Sequence, residues 1–385
     1  MFRQATFSIE ALVEMLHWLV GELARTMASL LFAAPADGPG PGLPAIDWTR
    51  LCDDASDDEV GYSFLIDPRN DWMAGHDDWV VRQILARPAA KAAWFANDSQ
   101  AAAAAAGELR LCAATVADYL GQANRFRELL LAAVHFLGGQ PARTTELLGA
   151  RYCNTPYGGR RNVFIQHRMV CLALGYHKGY QRAGGQLKVV HRYLPQEVGE
   201  QVVRYLWLVL PFCQQIQALS GVGSRPSPYL WGTVFAQSAG GVARLAAKEG
   251  EEGGGDGKGR AASLAVWSSD KMRRVVQDLA ARQLGTKLNI SSWRHIAVAI
   301  GRRYLRGIVG GNSGPGLSGA GTGTVAYGDS ETDGDGDELL GPDDPWDLQA
   351  GHSSRTAEML YGREVQQGTT GLAARQEQFR KVSLA

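Results

Sequence analysis

The amino-acid sequence predicts an α+β protein that is mainly helical and carries a small antiparallel sheet. Apolar residues recur at helical spacing through residues 7–32 and 114–137. Between residues 162 and 193, three short runs rich in β-branched and aromatic residues are separated by turn residues, a pattern typical of antiparallel strands. With 385 residues, 45% of them apolar and 9% aromatic, the chain is long enough to build two domains with cores of their own.

The chain has no net charge, but its charged residues are unevenly distributed along the sequence. The sequence has 39 Lys and Arg against 39 Asp and Glu, which argues against a uniformly basic nucleic-acid binder. Residues 37–78 are strongly acidic, with Arg50 and Arg69 as their only basic residues, and residues 329–347 contain no Lys or Arg. The basic charge therefore lies in the middle of the chain.

The first predicted helix, residues 7–32, interrupts its apolar run with charges at helical spacing, at Glu10, Glu14, Glu22 and Arg25. This pattern is typical of an amphipathic helix rather than a signal peptide or a membrane span. We therefore expect a soluble protein with no membrane partner.

Five cysteines are widely scattered, without a Cys-x-x-Cys pair or a histidine at the spacing of a zinc site. This predicts free thiols in a reducing, intracellular compartment and no metal centre.

The next elements run from a Pro/Gly linker to a pair of helices. After the linker at residues 35–44, the acidic segment has no sustained period and is expected to form loops and short helices. The helix over 114–137 ends at Gly138-Gly139. Pro141 then opens a second helix at its first position, so that Arg143 lies in the first turn, where a bound phosphate would offset the unfavourable helix dipole.

The three strands are predicted at residues 162–166, 169–176 and 187–193. Lys178 comes just after the second strand, and Lys188 lies on the third. Both lysines are therefore expected at one small antiparallel sheet.

Two further helices follow the sheet. One begins at Pro195 and is interrupted by Pro211; its core positions are Val198, Val202, Leu206 and Leu210. The other runs from Ser292 to about Arg306, burying Ile296, Ala299, Ile300 and Tyr304 while Arg302, Arg303 and Arg306 face outward. This second helix lies in the most basic part of the chain, in which Asp270 and Asp278 are the only acidic residues between 264 and 310.

Two segments are low in complexity and are expected to be flexible insertions, at residues 248–262 and 310–341. Gly257-Lys258 is not a phosphate-binding loop, because the first glycine of that motif is replaced by Glu252 and no Ser or Thr follows the lysine. The glycines near 319–323 follow no strand, so no dinucleotide loop is expected either. We predict no nucleotide cofactor.

Three stretches carry the functional signal: GQPARTTELL at 139–148, NISSWRHIA at 289–297 and GHSSRTAEMLY at 351–361. In this order they resemble boxes I, II and III of the tyrosine recombinases, DNA strand-exchange enzymes that include phage integrases and the fungal Crypton elements. The resemblance covers about residues 114–385. It implies the recombinase catalytic fold there, preceded by residues 1–110 as a helical, acidic N-terminal region that is possibly a degenerate core-binding domain.

The resemblance implies a site and a reaction. Its catalytic residues would be Arg143, Lys178, Arg294, His352 and Tyr361, with Lys188 as the alternative to Lys178. Its other DNA contacts would be Arg151, Lys188, Arg273, Arg274, Arg302 and Arg303. The family makes a 3′-phosphotyrosyl intermediate on double-stranded DNA as a homotetramer, without metal or other cofactor.

Two features depart from the family. Ser291 occupies the position, three residues before the second arginine, where the family usually carries a histidine or lysine, and serine cannot act as a base. The N-terminal region, which clamps DNA in the family, is acidic here although phosphate contacts require Lys or Arg. The DNA affinity is therefore expected in residues 114–310, and deletion of 1–110 is expected to leave much of it intact.

The wording of residues 138–195, with GGQPAR, RYCNTP, YHKGY and HRYLP, looks closest to the recombinase region of Crypton elements and of fungal, often subtelomeric, RecQ-like helicase proteins. That resemblance implies a mobile-element origin and a nuclear location, in a stand-alone protein or in part of a longer one. Two alternatives stay open: a catalytically inactive DNA-binding module retained from a recombinase, and a helical interaction protein that no longer binds DNA.

Overall fold

The computed structural model of the protein describes residues 7–33, 42–95, 111–156, 158–176, 188–220, 227–232, 266–305, 349, 377 and 379–384. The described part is mainly helical and contains a three-stranded antiparallel sheet, which confirms the α+β class. None of its helices has the length and apolar character that a bilayer span requires.

The first helix, α1 (Ile9–Leu30), begins where the Ser8 hydroxyl accepts a hydrogen bond from the Ala11 amide at 3.1 Å. Its apolar face packs against α4 (Ala113–Leu137), and the Tyr119 hydroxyl donates to the Leu30 carbonyl at 3.0 Å. The buried residues of that face are Leu12, Met15, Leu19, Leu23, Met27 and Leu30. One core therefore contains side chains from both sides of residue 110.

The acidic segment forms short elements, as predicted. Two 3₁₀ helices (Phe64–Ile66 and Pro68–Met73) precede α2 (Trp79–Leu85) and α3 (Pro88–Trp94). The segment is joined to the sheet by a bidentate ion pair between Asp53 and Arg161, whose side chains are both 1% exposed. Asp53 also accepts from the Ile165 amide at 2.9 Å. One carboxylate of the acidic segment, that of Asp53, therefore forms an ion pair inside the protein.

The sheet has the strand order β1–β2–β3, and its strands match the predicted ones. They are β1 (Val163–Gln166), β2 (Met169–Tyr176) and β3 (Lys188–Tyr193). Cys171 of β2 faces Phe164 on one side and Tyr193 on the other, while Leu172 pairs with Arg192. This register places Arg192 in the middle of β3.

The helix after the sheet does not stop at Pro211. It runs as α6 (Gln196–Arg204), a π-helical turn (Tyr205–Val209) and α7 (Leu210–Leu219). The wider π turn precedes Pro211, which then stands in the first turn of α7. The four predicted core positions, Val198, Val202, Leu206 and Leu210, are buried.

Two capped helices follow. Ser268 caps α8 (Ser269–Gln283), and Asn289 caps α9 (Ile290–Ile300) by accepting from the Ser292 amide at 2.7 Å. Beyond Ile300 the chain continues as a π turn (Gly301–Leu305), and Tyr304 is 51% exposed. The prediction that Tyr304 is buried was therefore wrong, because a π turn advances fewer degrees per residue and moves later side chains off the apolar face.

The last described residues, 379–384, are helical and pack on the sheet of their own chain. Phe379 forms a small apolar cluster with Cys171 and Tyr193, and the Ser383 hydroxyl accepts from the Tyr193 amide at 3.1 Å. We call this segment the C-terminal helix.

Candidate functional site

Arg143 stands at the N-cap of α5 (Thr144–Leu148) and not in its first turn. Its backbone is extended, with φ −70° and ψ 153°, and its amide donates to the Glu146 carboxylate at 3.1 Å. The predicted helix start at Pro141 was therefore wrong. The side-chain acceptor at Glu146 satisfies the first free amide of α5, so the helix begins three residues later. Arg143 itself is half-buried.

The turn before Arg143, residues 138–142, lies against α9. The Gln140 side chain donates from Nε2 to the Ala297 carbonyl at 3.3 Å. Arg294 stands on α9 one turn before Ala297 and is half-buried, beside the buried Trp293. The elements that carry the two predicted phosphate-binding arginines are thus in direct contact.

A group of five buried polar residues, which we call the buried polar cluster, surrounds this contact. None is more than 8% exposed; its members are His135, Gln140, Glu146, Arg192 and Gln349. Apart from Gln140 and Glu146, which fall within the box I stretch, no local pattern in the sequence indicates them. Their burial depends on contacts between α4, β3 and residue 349.

Arg192 is the cation of the buried polar cluster. Its Nε donates to the Gln140 carbonyl at 3.0 Å, and its Nη2 donates to the Gln349 carbonyl at 3.1 Å. Burial lowers the pKa of Arg192 to about 10, and Arg294 adds to this effect, whereas the Glu146 carboxylate opposes it. Arg192 therefore remains charged at neutral pH.

Gln349 is wholly buried and connects three segments. Its Oε1 accepts from the Gln140 amide at 2.8 Å. Its Nε2 lies within hydrogen-bond distance of the His191 carbonyl (3.1 Å), the Phe379 carbonyl (3.3 Å) and the Ser383 hydroxyl (3.0 Å). The turn before Arg143, β3 and the C-terminal helix therefore meet at one amide group.

His135 is held neutral. Burial, followed by the positive charges of Arg294 and Arg192, lowers its pKa to about 3. Within the described part of the chain, neither of its ring nitrogens has a hydrogen-bond partner. One side-chain nitrogen or oxygen atom each of Gln140, Glu146, Arg192 and Trp293 likewise has no hydrogen-bond partner within the described part of the chain. Neutral His135 lacks the second ring proton of the imidazolium form, which is the one it would donate as an acid at neutral pH.

The other predicted DNA contacts lie in different surroundings. Arg273 and Arg274 are exposed on α8, and Arg273 pairs with Asp270 at 3.0 Å. Arg303 is exposed in the π turn after α9, while Arg151 is half-buried with its guanidinium 5.7 Å from the centre of the Tyr229 ring. Lys188 opens β3 and Arg302 lies in the π turn, but their side chains are not among those described.

A cavity of about 280 Å³ opens between α1, α4 and α8. Four cations and two carboxylates line it, together with Trp18 and an apolar wall; the charged residues are Arg125, Lys271, Arg274, Arg282, Glu128 and Asp278. Glu128 is engaged by Lys271 at 3.3 Å and by Arg125 at 4.0 Å. The lining therefore keeps a surplus of positive charge on the α8 side.

Three of the predicted catalytic residues, Lys178, His352 and Tyr361, lie outside the described residues. Of the five, the structure thus places Arg143 and Arg294, on two elements that touch each other. Ser291 is exposed in the first turn of α9. Comparison with protein-family models, with curated proteins and with solved structures found no match to this chain.

Proposed function

We propose that this protein is a DNA-binding, tyrosine recombinase-like enzyme that forms a 3′-phosphotyrosyl intermediate during strand exchange. The observation that carries the proposal is the hydrogen bond between Gln140 and Ala297, because it joins the Arg143 turn to the Arg294 helix. Two arginines that are far apart in sequence thereby stand on adjacent elements beside the basic face of α8. A pair of guanidinium groups is suited to the non-bridging oxygens of a phosphodiester.

The proposed reaction needs neither a metal nor a nucleotide. The Tyr361 hydroxyl attacks the scissile phosphorus, a new tyrosyl O–P bond forms, and the bond to the 5′-oxygen breaks. Arg143 and Arg294 stabilise the charge that develops on the phosphate, His352 assists by accepting the proton that the Tyr361 hydroxyl loses, and Lys178 gives a proton to the leaving 5′-oxygen. Attack by a second 5′-hydroxyl reverses the step, so that four protomers can exchange strands.

The proposed DNA surface consists of α8 and the turn after α9. Arg274 and Arg282 on α8 and Arg303 beyond α9 are exposed, and the carboxylates near them are few. Each phosphate contact releases counterions, so the affinity should fall steeply with salt. With this function we propose a nuclear location, a fungal mobile-element origin and assembly into a homotetramer on DNA.

A second candidate function is a catalytically inactive DNA-binding module. Ser291 favours it, because this exposed position holds no acid–base group. His135 does not replace the missing histidine as an acid, since its buried ring is neutral at neutral pH. The two candidates share the phosphate-binding arginines and differ only in covalent chemistry.

The experiment is capture of the protein on double-stranded DNA with a nick beside the scissile phosphate. We expect Tyr361→Phe to abolish the covalent adduct and to leave non-covalent affinity nearly unchanged, because most affinity comes from phosphate contacts. Tyr119→Phe is the matched control, since its hydroxyl donates to the Leu30 carbonyl between α1 and α4 and has no role in the proposal. Arg294→Ala should weaken both adduct formation and binding.

Ser291→His separates the two candidate functions. If the missing histidine limits the reaction, this substitution should raise the adduct rate by on the order of a hundredfold. No adduct from either the wild type or Ser291→His, with salt-dependent binding retained, would establish the inactive module. No DNA binding at all would exclude both candidates.

A further inference from the structure

Arg192 joins two segments that immediately precede proposed catalytic residues. Its Nε and Nη2 donate to the carbonyls of Gln140 and Gln349, at 3.0 and 3.1 Å. Gln140 stands three residues before Arg143, and Gln349 stands three residues before His352 in the sequence. One buried cation therefore ties the turn before Arg143 to residue 349.

Gly139, next to Gln140, lies in close contact with the side chain of Gln349. Gly139 has a φ of +77°, a region that favours glycine, and a Cβ there would lie 2.5 Å from Oε1 of Gln349 and 2.9 Å from the Ser383 hydroxyl. Only a residue without a side chain lets the turn come this close. The backbone of the turn and the amide of Gln349 are thus fitted to each other.

From these contacts we infer that Arg192 and Gln349 are positioning residues that hold the Arg143 turn against α9. Gln140 transmits the effect, because its main chain accepts from Arg192 and donates to Gln349 while its side chain donates to Ala297 on α9. The two residues thereby set the separation between Arg143 and Arg294. The catalytic part of this inference rests on the proposed function, whereas the hold on the turn is a property of the free protein.

An arginine suits this task better than a lysine. Its planar guanidinium presents several N–H groups in a rigid fork, so it can reach two carbonyls on different segments at once. A lysine keeps the charge but offers one compact ammonium group. Phosphoryl transfer is sensitive to such changes, since a displacement of about 1 Å in a positioned group can lower a rate by on the order of a hundredfold.

The experiment compares Arg192→Lys and Gln349→Met with the matched control Arg127→Lys. Arg127 is also a buried arginine that donates to two main-chain carbonyls, those of Leu230 and Gly232, but these lie outside the Arg143 turn. The first measurement is amide hydrogen exchange in the free protein. In both test variants, protection of the Gln140 amide should fall by about tenfold or more. Gln349→Met removes the acceptor of this amide, and Arg192→Lys weakens the hydrogen bond to the Gln140 carbonyl. Protection in α1 should not change.

The second measurement is the adduct rate on nicked DNA, set beside non-covalent affinity. Arg192→Lys should lower the adduct rate by roughly tenfold to a hundredfold while the affinity changes by less than about threefold. In an Arg143→Ala background, the same substitution should have little further effect on the residual adduct rate, because Arg192 acts through Arg143. Arg127→Lys should act equally in both backgrounds.

The outcomes distinguish this inference from the proposed function. Unchanged protection of the Gln140 amide in both test variants would overturn the inference, whatever the DNA experiments show. Lowered protection of the Gln140 amide with adduct rates equal to those of Arg127→Lys would also overturn the inference, because the two residues would then have no effect on the reaction. Lowered protection, without any DNA binding by the wild type, would support the hold on the turn and refute the proposed function.

Discussion

Two histidines lie in the interior with pKa values far below that of a free imidazole. Burial is the main cause for both; it lowers the pKa of His135 to about 3 and that of His191 to about 4, and the positive charge of Arg192 contributes to each. Both rings are therefore neutral in the folded protein at ordinary pH. They become charged near pH 6.5 only in the unfolded chain.

This difference predicts a stability that falls with acid. Between about pH 6.5 and 4 the unfolded chain binds more protons than the folded one, so the free energy of unfolding falls by up to about 1.4 kcal/mol per pH unit for each histidine. From pH 7 to 5 the loss should be about 2 kcal/mol for His135 alone. His135→Leu should make the loss over this interval smaller by about that amount in urea unfolding.

The comparison between variants isolates His135 from other titrating groups. Burial raises the pKa of Asp53, which acts in the opposite direction and is present in both proteins. Val116→Ala, which changes a buried, non-titrating side chain of α4, is the control and should lower the free energy of unfolding by about the same amount at pH 7 and pH 5. Parallel curves for His135→Leu and the wild type would contradict a neutral buried His135.

At the scale of elements, the C-terminal helix covers part of the sheet. Phe379 and Val382 are each 2% exposed, and Phe379 packs against Cys171, a free and wholly buried thiol of β2. Burial raises the pKa of this thiol to about 12. Cys171 is therefore protected from alkylation in two ways. The C-terminal helix covers it, and its raised pKa leaves little of the reactive thiolate at neutral pH.

Removal of residues 377–385 should uncover Cys171. We expect its alkylation rate under native conditions to rise on the order of tenfold or more, measured by mass spectrometry of the labelled peptide. Cys213, wholly buried on α7, is the internal control and should stay unreactive. Equal labelling of both thiols would indicate general unfolding, and an unreactive Cys171 would show that the helix is not its cover.

At the scale of the whole molecule, the N-terminal region is part of the main core. The apolar face of α1 packs on α4, and the buried Asp53–Arg161 pair joins the acidic segment to the sheet. The acidic segment thus serves the packing of the protein, which accounts for an N-terminal region that lacks the basic charge of a DNA clamp. Because of this packing, we expect deletion of residues 1–110 to affect folding as well as DNA binding.

We now expect that residues 111–385 alone do not unfold cooperatively. Six side chains of α1 are buried, and each contributes about 1.5–3 kcal/mol, which together is comparable to the 5–15 kcal/mol that stabilises a typical domain. Differential scanning calorimetry should show no transition for this fragment. Residues 1–95 produced together with it should co-purify and restore the transition. A lone fragment with the melting temperature of the full chain would contradict this expectation.

Local sequence determined most of the secondary structure, because helix and strand periods, caps and turn residues act over a few positions. The strands and α4 agree with their predicted bounds to within one residue, and the fold class follows from them. The errors fall where distant or side-chain contacts decide. Examples are the start of α5, set by the Glu146 carboxylate, the π turn that precedes Pro211 and the π turn that contains Tyr304.

The sequence by itself also singled out Arg143 and Arg294, since each stands in a stretch with a recognisable order of residue types. Only the tertiary structure decided that their elements touch, that Arg192 and Gln349 hold the turn before Arg143, and that the acidic segment closes on the sheet. These contacts join residues far apart in the chain, so no local period records them. Burial gives each of them its weight, because a buried amide or guanidinium must be hydrogen-bonded to offset its loss of hydration.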